Sequence, residues 1–100
     1  MTIPIATVRR LCTATELTLV SQSRRPALGG LSASKLDQLI QRARRLRDTY
    51  RDKARQQRRE QRGKSAPKGA RAAQGNDATV KKEQIFAEAL TRFQERRAAL

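Results

Sequence analysis

Residues 34–62 read SKLDQLIQRARRLRDTYRDKARQQRREQR, a run with no Pro and no Gly. Ile40 and Thr49 are its only β-branched residues, and the rest is dominated by Leu, Arg, Gln, Ala and Lys. Such a stretch has one regular conformation open to it, an α-helix. At 3.6 residues per turn, Leu36, Leu39, Ile40, Ala43, Leu46, Tyr50 and Ala54 fall on one apolar face. Beside that face run Arg44, Arg47, Arg51, Arg55, Arg58 and Arg62, spaced 3, 4, 4, 3 and 4 residues apart. At 1.5 Å per residue this row of guanidinium groups is about 27 Å long. Asp48, Asp52 and Glu60 are expected outside it, with Asp48 and Asp52 in structural ion pairs with the arginines around them, Arg44, Arg45, Arg51, Arg55 and Arg59. The apolar face fades after Ala54 while the arginines continue. The helix therefore has one half that needs a core and a second half expected to project as a basic arm.

The rest of the chain is organised around this helix. Residues 1–12, MTIPIATVRRLC, show a short alternation of Ile3, Ile5 and Thr7 interrupted by Pro4, and read as a flexible arm. Thr13-Ala14-Thr15-Glu16 is a capping box, in which Thr13 accepts from the amide at N3 and Glu16 reaches back. It starts a short helix over 13–22 with Leu17 and Val20 inward. Residues 23–31, with Pro26 and Gly29-Gly30, form a connection too long for the tight turn of a helix-turn-helix DNA reader.

The long helix begins at Ser32 or at Ser34. Ser32 as N-cap allows a staple between Leu31 and Leu36; Ser34 as N-cap places Asp37 at N3. The helix is expected to end at Gly63. Residues 63–77 hold three Gly, one Pro and the basic Lys64, Lys68 and Arg71, and are expected as a flexible basic loop. A last amphipathic helix follows over about 78–99, with Ile85, Phe86, Ala89, Leu90, Phe93 and Leu100 on one face. The expected fold is all-α. The central basic helix (32–62) packs against the C-terminal helix (78–99) and the short one (13–22), making a single small helical domain over 13–100. A homodimer through the same faces is the alternative way of burying them.

Charge narrows the function. The chain has 23 Lys and Arg against 9 Asp and Glu, a net charge of +14 in 100 residues. That balance repels itself unless a polyanion neutralises it. The charge is concentrated on the central helix, since Glu83, Glu88 and Glu95 bring the last helix close to neutral. Enzyme chemistry is not expected. There is no His, Cys12 stands alone, no glycine-rich phosphate loop occurs, and the carboxylates are scattered. No metal site and no cofactor are expected. Cys12 reads as a half-buried hydrophobe rather than a nucleophile.

No apolar run approaches the ~20 residues of a membrane span, and the lone cysteine fits a reducing compartment. A cytoplasmic protein is expected. The Arg- and Ser/Thr-rich residues 1–25 leave a transit peptide as the other reading.

Guanidinium is permanently charged and grips phosphate through paired hydrogen bonds. The sequence therefore points to a nucleic-acid-binding protein that contacts duplex DNA or structured RNA through phosphate. The candidate contact residues are Arg44, Arg47, Arg51, Arg55, Arg58, Arg62, Lys64 and Lys68. A basic leucine zipper is not matched, because there the basic region precedes the apolar heptads and here it follows them. Two rival readings remain. One is an adaptor, of antitoxin or chaperone-like type, that docks the basic helix on an acidic protein. The other is a membrane-surface helix, for which Trp and Phe are lacking on the apolar face.

Overall fold

The computed structural model describes the backbone of residues 2–63 and 69–100, and the side chains of residues 2–60 and 77–100. Helix α1 spans Ile5–Leu11, α2 Ala14–Gln22, α3 Ala33–Gly63 and α4 Gly69–Ala99, with a 3-10 turn at Ala27–Gly30. No strand occurs among the described residues. The last two helices form an antiparallel pair: Asp37 near the start of α3 meets Arg97 near the end of α4 at 3.0 Å. Each has 31 residues, about 46 Å of helix, which accounts for the long dimension of a molecule measuring 51 × 23 × 23 Å. The two short helices lie against α4.

The segment expected as an arm is a helix. Pro4 is the N-cap of α1, and its carbonyl accepts from Thr7 N at 3.0 Å and Val8 N at 3.1 Å. A proline at a helix start costs nothing, because the first amides have no intrahelical partner. Ile5, Val8 and Leu11 recur every three residues, and Val8 is completely buried. Seven residues are too few for that period to stand out beside the Ile3–Ile5–Thr7 alternation. The residues ahead of α1 are tied down as well. Ile3 N donates to both carboxylate oxygens of Glu88 on α4, at 3.1 and 3.3 Å, and the Ile3 carbonyl accepts from Arg24 Nη2.

The capping box of α2 is present in both halves. Glu16 N donates to Thr13 Oγ1 at 3.3 Å and Thr13 N to Glu16 Oε1 at 3.0 Å. Leu19 and Val20 are the buried residues of this helix, with Leu17 only partly covered. Of the two possible N-caps of α3, Ser32 is the one used: its hydroxyl accepts from Lys35 N at 3.1 Å.

The core joins Leu36, Leu39 and Ala43 of α3 to Ile85, Phe86, Ala89, Leu90 and Phe93 of α4, with Val8, Leu19 and Val20 closing one side. Ile40, Leu46 and Tyr50 are partly buried at its margin.

Helix α4 starts earlier than the composition suggests, at Gly69. Glycine costs a helix about 1 kcal/mol relative to Ala, but Ala70, Ala72 and Ala73 favour it. Residues 69–77, expected in the loop, are therefore helical, and residues 64–68 lie outside the described part. Nor does α3 stand alone beyond its apolar half. Ala54 is buried, and α3 packs along α4.

Candidate nucleic-acid interface

At 100° per residue, the line through Arg44, Arg47, Arg51, Arg55 and Arg58 lies about a quarter turn from the buried line through Leu36, Leu39, Ala43 and Ala54. Helix α2 occupies the opposite flank of α3, where Glu16 meets Tyr50 and where Thr15 and Glu16 border a shallow depression with Arg42, Arg45 and Leu46. The arginine flank is thus the one α2 leaves open. Arg44, Arg55 and Arg58 are exposed there, and Arg47 and Arg51 are half-exposed. Arg62 belongs to α3 by its backbone; its side chain, and Lys64 and Lys68 altogether, lie outside the described residues.

Asp48 and Asp52 form ion pairs, as expected, and two of the partners are arginines of the row, Arg47 and Arg51. Asp48 Oδ1 accepts from Arg47 Nε at 3.0 Å and Nη2 at 2.9 Å. The same oxygen lies 3.5 Å from Arg51 Nη1, and Arg51 Nε lies 3.5 Å from Asp52 Oδ1. Asp48 is held below the usual carboxylate range chiefly by the Arg47 hydrogen bond, which outweighs partial desolvation, and then by the charges of Arg47, Arg51 and Arg44. The pairing has a geometric reason. Asp48 sits about 60° around the helix from Arg51 and about 100° from its chain neighbour Arg47, both within the sweep of a guanidinium on its flexible stem. Arg45, expected to pair with these acids, instead borders the α2 depression.

A second polar cluster was not foreseen. Glu16 of α2, Tyr50 of α3 and Lys82 of α4 meet at the core margin. Tyr50 donates its hydroxyl to Glu16 Oε2. Lys82 Nζ donates to Tyr50 Oη at 2.8 Å and lies 2.9 Å from Glu16 Oε1. The ammonium also stands 4.2 Å from the Tyr50 ring centroid, and that ring stacks on Phe86 at 5.6 Å. Burial pushes Glu16 upward, but hydrogen bonds from Tyr50, Thr13 and Lys82 together with the Lys82 charge leave it below its ordinary value. Burial pushes Lys82 down, and its bonds to Tyr50 and Glu16 more than reverse this. Tyr50 is raised by burial and by the Glu16 carboxylate. Cys12, half-buried nearby, is raised by burial and by Glu16, which keeps it a thiol. The sequence signal for Glu16 was present but was absorbed by its capping role, and Tyr50 was counted with the apolar face.

Among the described residues, no group of three His, Cys, Asp or Glu side chains is placed to hold a metal ion. Nor is any described helix long and apolar enough to cross a membrane. Comparison with family models, with curated proteins and with solved structures finds no match for the chain.

Proposed function

We propose that the protein is a non-enzymatic nucleic-acid-binding protein that contacts the phosphate backbone of duplex DNA or structured RNA through the arginine-bearing surface of α3. The observation that carries this reading is the lateral asymmetry of charge. Residues 41–60 hold nine basic and three acidic side chains, whereas residues 77–100 hold five basic and four acidic. The α3 segment is thus strongly cationic and the α4 segment close to balanced, a concentration of charge on one helix that is expected of a phosphate-contacting surface. The aromatic residues favour a paired over a single-stranded ligand. Phe86 and Phe93 are buried and Tyr50 is stacked on Phe86. Trp is absent, so no ring is left on α3 as a platform for unpaired bases.

The test is fluorescence anisotropy with a labelled DNA duplex and a labelled RNA hairpin, titrated across a range of salt. Log affinity should fall with log salt at about −0.9 per phosphate contact on B-DNA, roughly −3 to −5 for the contacts available here. Changing Arg44, Arg55 and Arg58 together to Gln preserves helix propensity and should flatten the slope by ~2–3 units. The matched change of Arg9, Arg10 and Arg25, also exposed but outside α3, should flatten it by less than ~1 unit. Equal losses would reduce the effect to net charge. If neither probe binds while an acidic protein is retained on the same surface, the adaptor reading takes its place.

A further inference from the structure

The arginine flank carries its own competitor. Asp48 touches Arg47 through two guanidinium nitrogens and Arg51 through a third, and Asp52 approaches the Nε of Arg51. A carboxylate and a phosphate use the same bidentate edge of a guanidinium. The Nε–Nη2 edge of Arg47 is therefore taken by Asp48, and Arg51 lies in looser ion pairs with Asp48 and Asp52 at 3.5 Å, while Arg44 on one side and Arg55 and Arg58 on the other are exposed. Any phosphate approaching the middle also meets the Asp48 charge, which is surrounded by Arg44, Arg47 and Arg51.

Building on the proposed phosphate-contacting role of α3, we infer that Asp48, assisted by Asp52, limits polyanion affinity by occupying Arg47 and Arg51. The bound backbone then engages the flank in two separate places, at Arg44 and at Arg55–Arg58, with the centre held in reserve. The distance between those places is about 16 Å along the helix, from the eleven steps of 1.5 Å that take Arg44 to Arg55. An acid at this position prevents a helix of such charge from clamping every polyanion it meets. Affinity is kept low enough for exchange, and the two central arginines are spent only on a ligand close enough to displace the carboxylate. Asp48 in this view is a moderating residue, not a contact residue.

The experiment compares Asp48→Asn with Glu60→Gln, using the same duplex and hairpin probes across salt. Both substitutions remove one negative charge from α3 and are nearly isosteric. Glu60, however, is exposed and, among the described residues, accepts a long 3.5 Å bond from Gln56, away from the paired arginines. Asp48→Asn is expected to tighten binding roughly tenfold near 0.1 M salt and to steepen the salt slope by about one to two units, as one or two guanidinium groups become free for phosphate. Glu60→Gln should tighten binding by less than about threefold, with little change of slope. Equal effects of the two would overturn the inference and leave net charge as the explanation. Weaker binding by Asp48→Asn would overturn it in the other direction, by making Asp48 a group that aims the arginines at phosphate. Absence of binding by both the parent chain and Asp48→Asn would instead remove the nucleic-acid reading itself. Circular dichroism of both variants reports that the helical fold is retained.

Discussion

Tyr50 is where three helices are joined by chemistry rather than by packing alone. Its hydroxyl serves Glu16 and Lys82 at once, so Tyr50→Phe removes two charge-assisted bonds and leaves the ring in place. The expected loss is about 2 kcal/mol, read from chemical denaturation. The same cluster sets a pH dependence whose sign follows from the shifts. Glu16 lies below its ordinary value of 4.5 in the folded protein, so its contribution is complete above that value and is lost as pH falls through the depressed one. Lys82 lies above its ordinary 10.5, so its contribution is complete below that value and is lost as pH rises through the raised one. The melting temperature should therefore drop below about pH 4.5, and Glu16→Gln should lower the neutral plateau and flatten this acid limb. An acid limb of unchanged steepness in Glu16→Gln would show that other carboxylates govern it.

At the scale of the elements, burial decides what each apolar residue is worth. Leu39 is fully buried, and Leu39→Ala should cost ~2–5 kcal/mol. Leu46, central in the stripe as the sequence presents it, is only half-buried and borders the α2 depression. Leu46→Ala should therefore cost under ~2 kcal/mol, because water already reaches part of the side chain. Val8→Ala should cost about 2 kcal/mol despite lying in a segment that reads as an arm. Equilibrium urea unfolding of the three variants tests that ranking. The contrast shows what was legible in the chain. The α3 stripe and the α4 face each span enough turns for the 3.6-residue period to declare itself, and the Thr13–Glu16 capping box is local chemistry four residues long. Helix α1 was not legible, because two turns are too few for a period to stand out and its place is set by distant contacts, Val8 in the core and Glu88 on the Ile3 amide ahead of it. The start of α4 was missed because Gly69, Gly75 and Asn76 argue locally for a loop. In the candidate site, the arginine row and the ion pairing of Asp48 and Asp52 could be read from spacing, but the choice of Arg47 as the main partner of Asp48 could not. Which neighbour a guanidinium leans toward depends on side-chain torsions that a helical projection does not contain.

The whole molecule is a rod, 51 Å long and 23 Å across, with α3 and α4 running along its length. Two amphipathic helices packed along such a length face an ambiguity that a globular core avoids. Apolar residues recur every three or four positions on both, so sliding α4 by one turn, about 5.4 Å, would still set apolar side chains against one another. Hydrophobic burial alone discriminates weakly between such alignments. Lys82 discriminates strongly. Displaced by a turn, its ammonium would leave Glu16 and Tyr50 and lose its partners in a half-dry setting, while Glu16 would keep its bonds from Tyr50 and Thr13 but lose its counter-charge, a cost of about 2–3 kcal/mol. Arg97 would part from Asp37 at the same time. The polar contacts of α4 thus act as a vernier, fixing the alignment of a surface whose apolar graduations are all alike. They thereby fix which arginines of α3 stand clear of α4 and which do not.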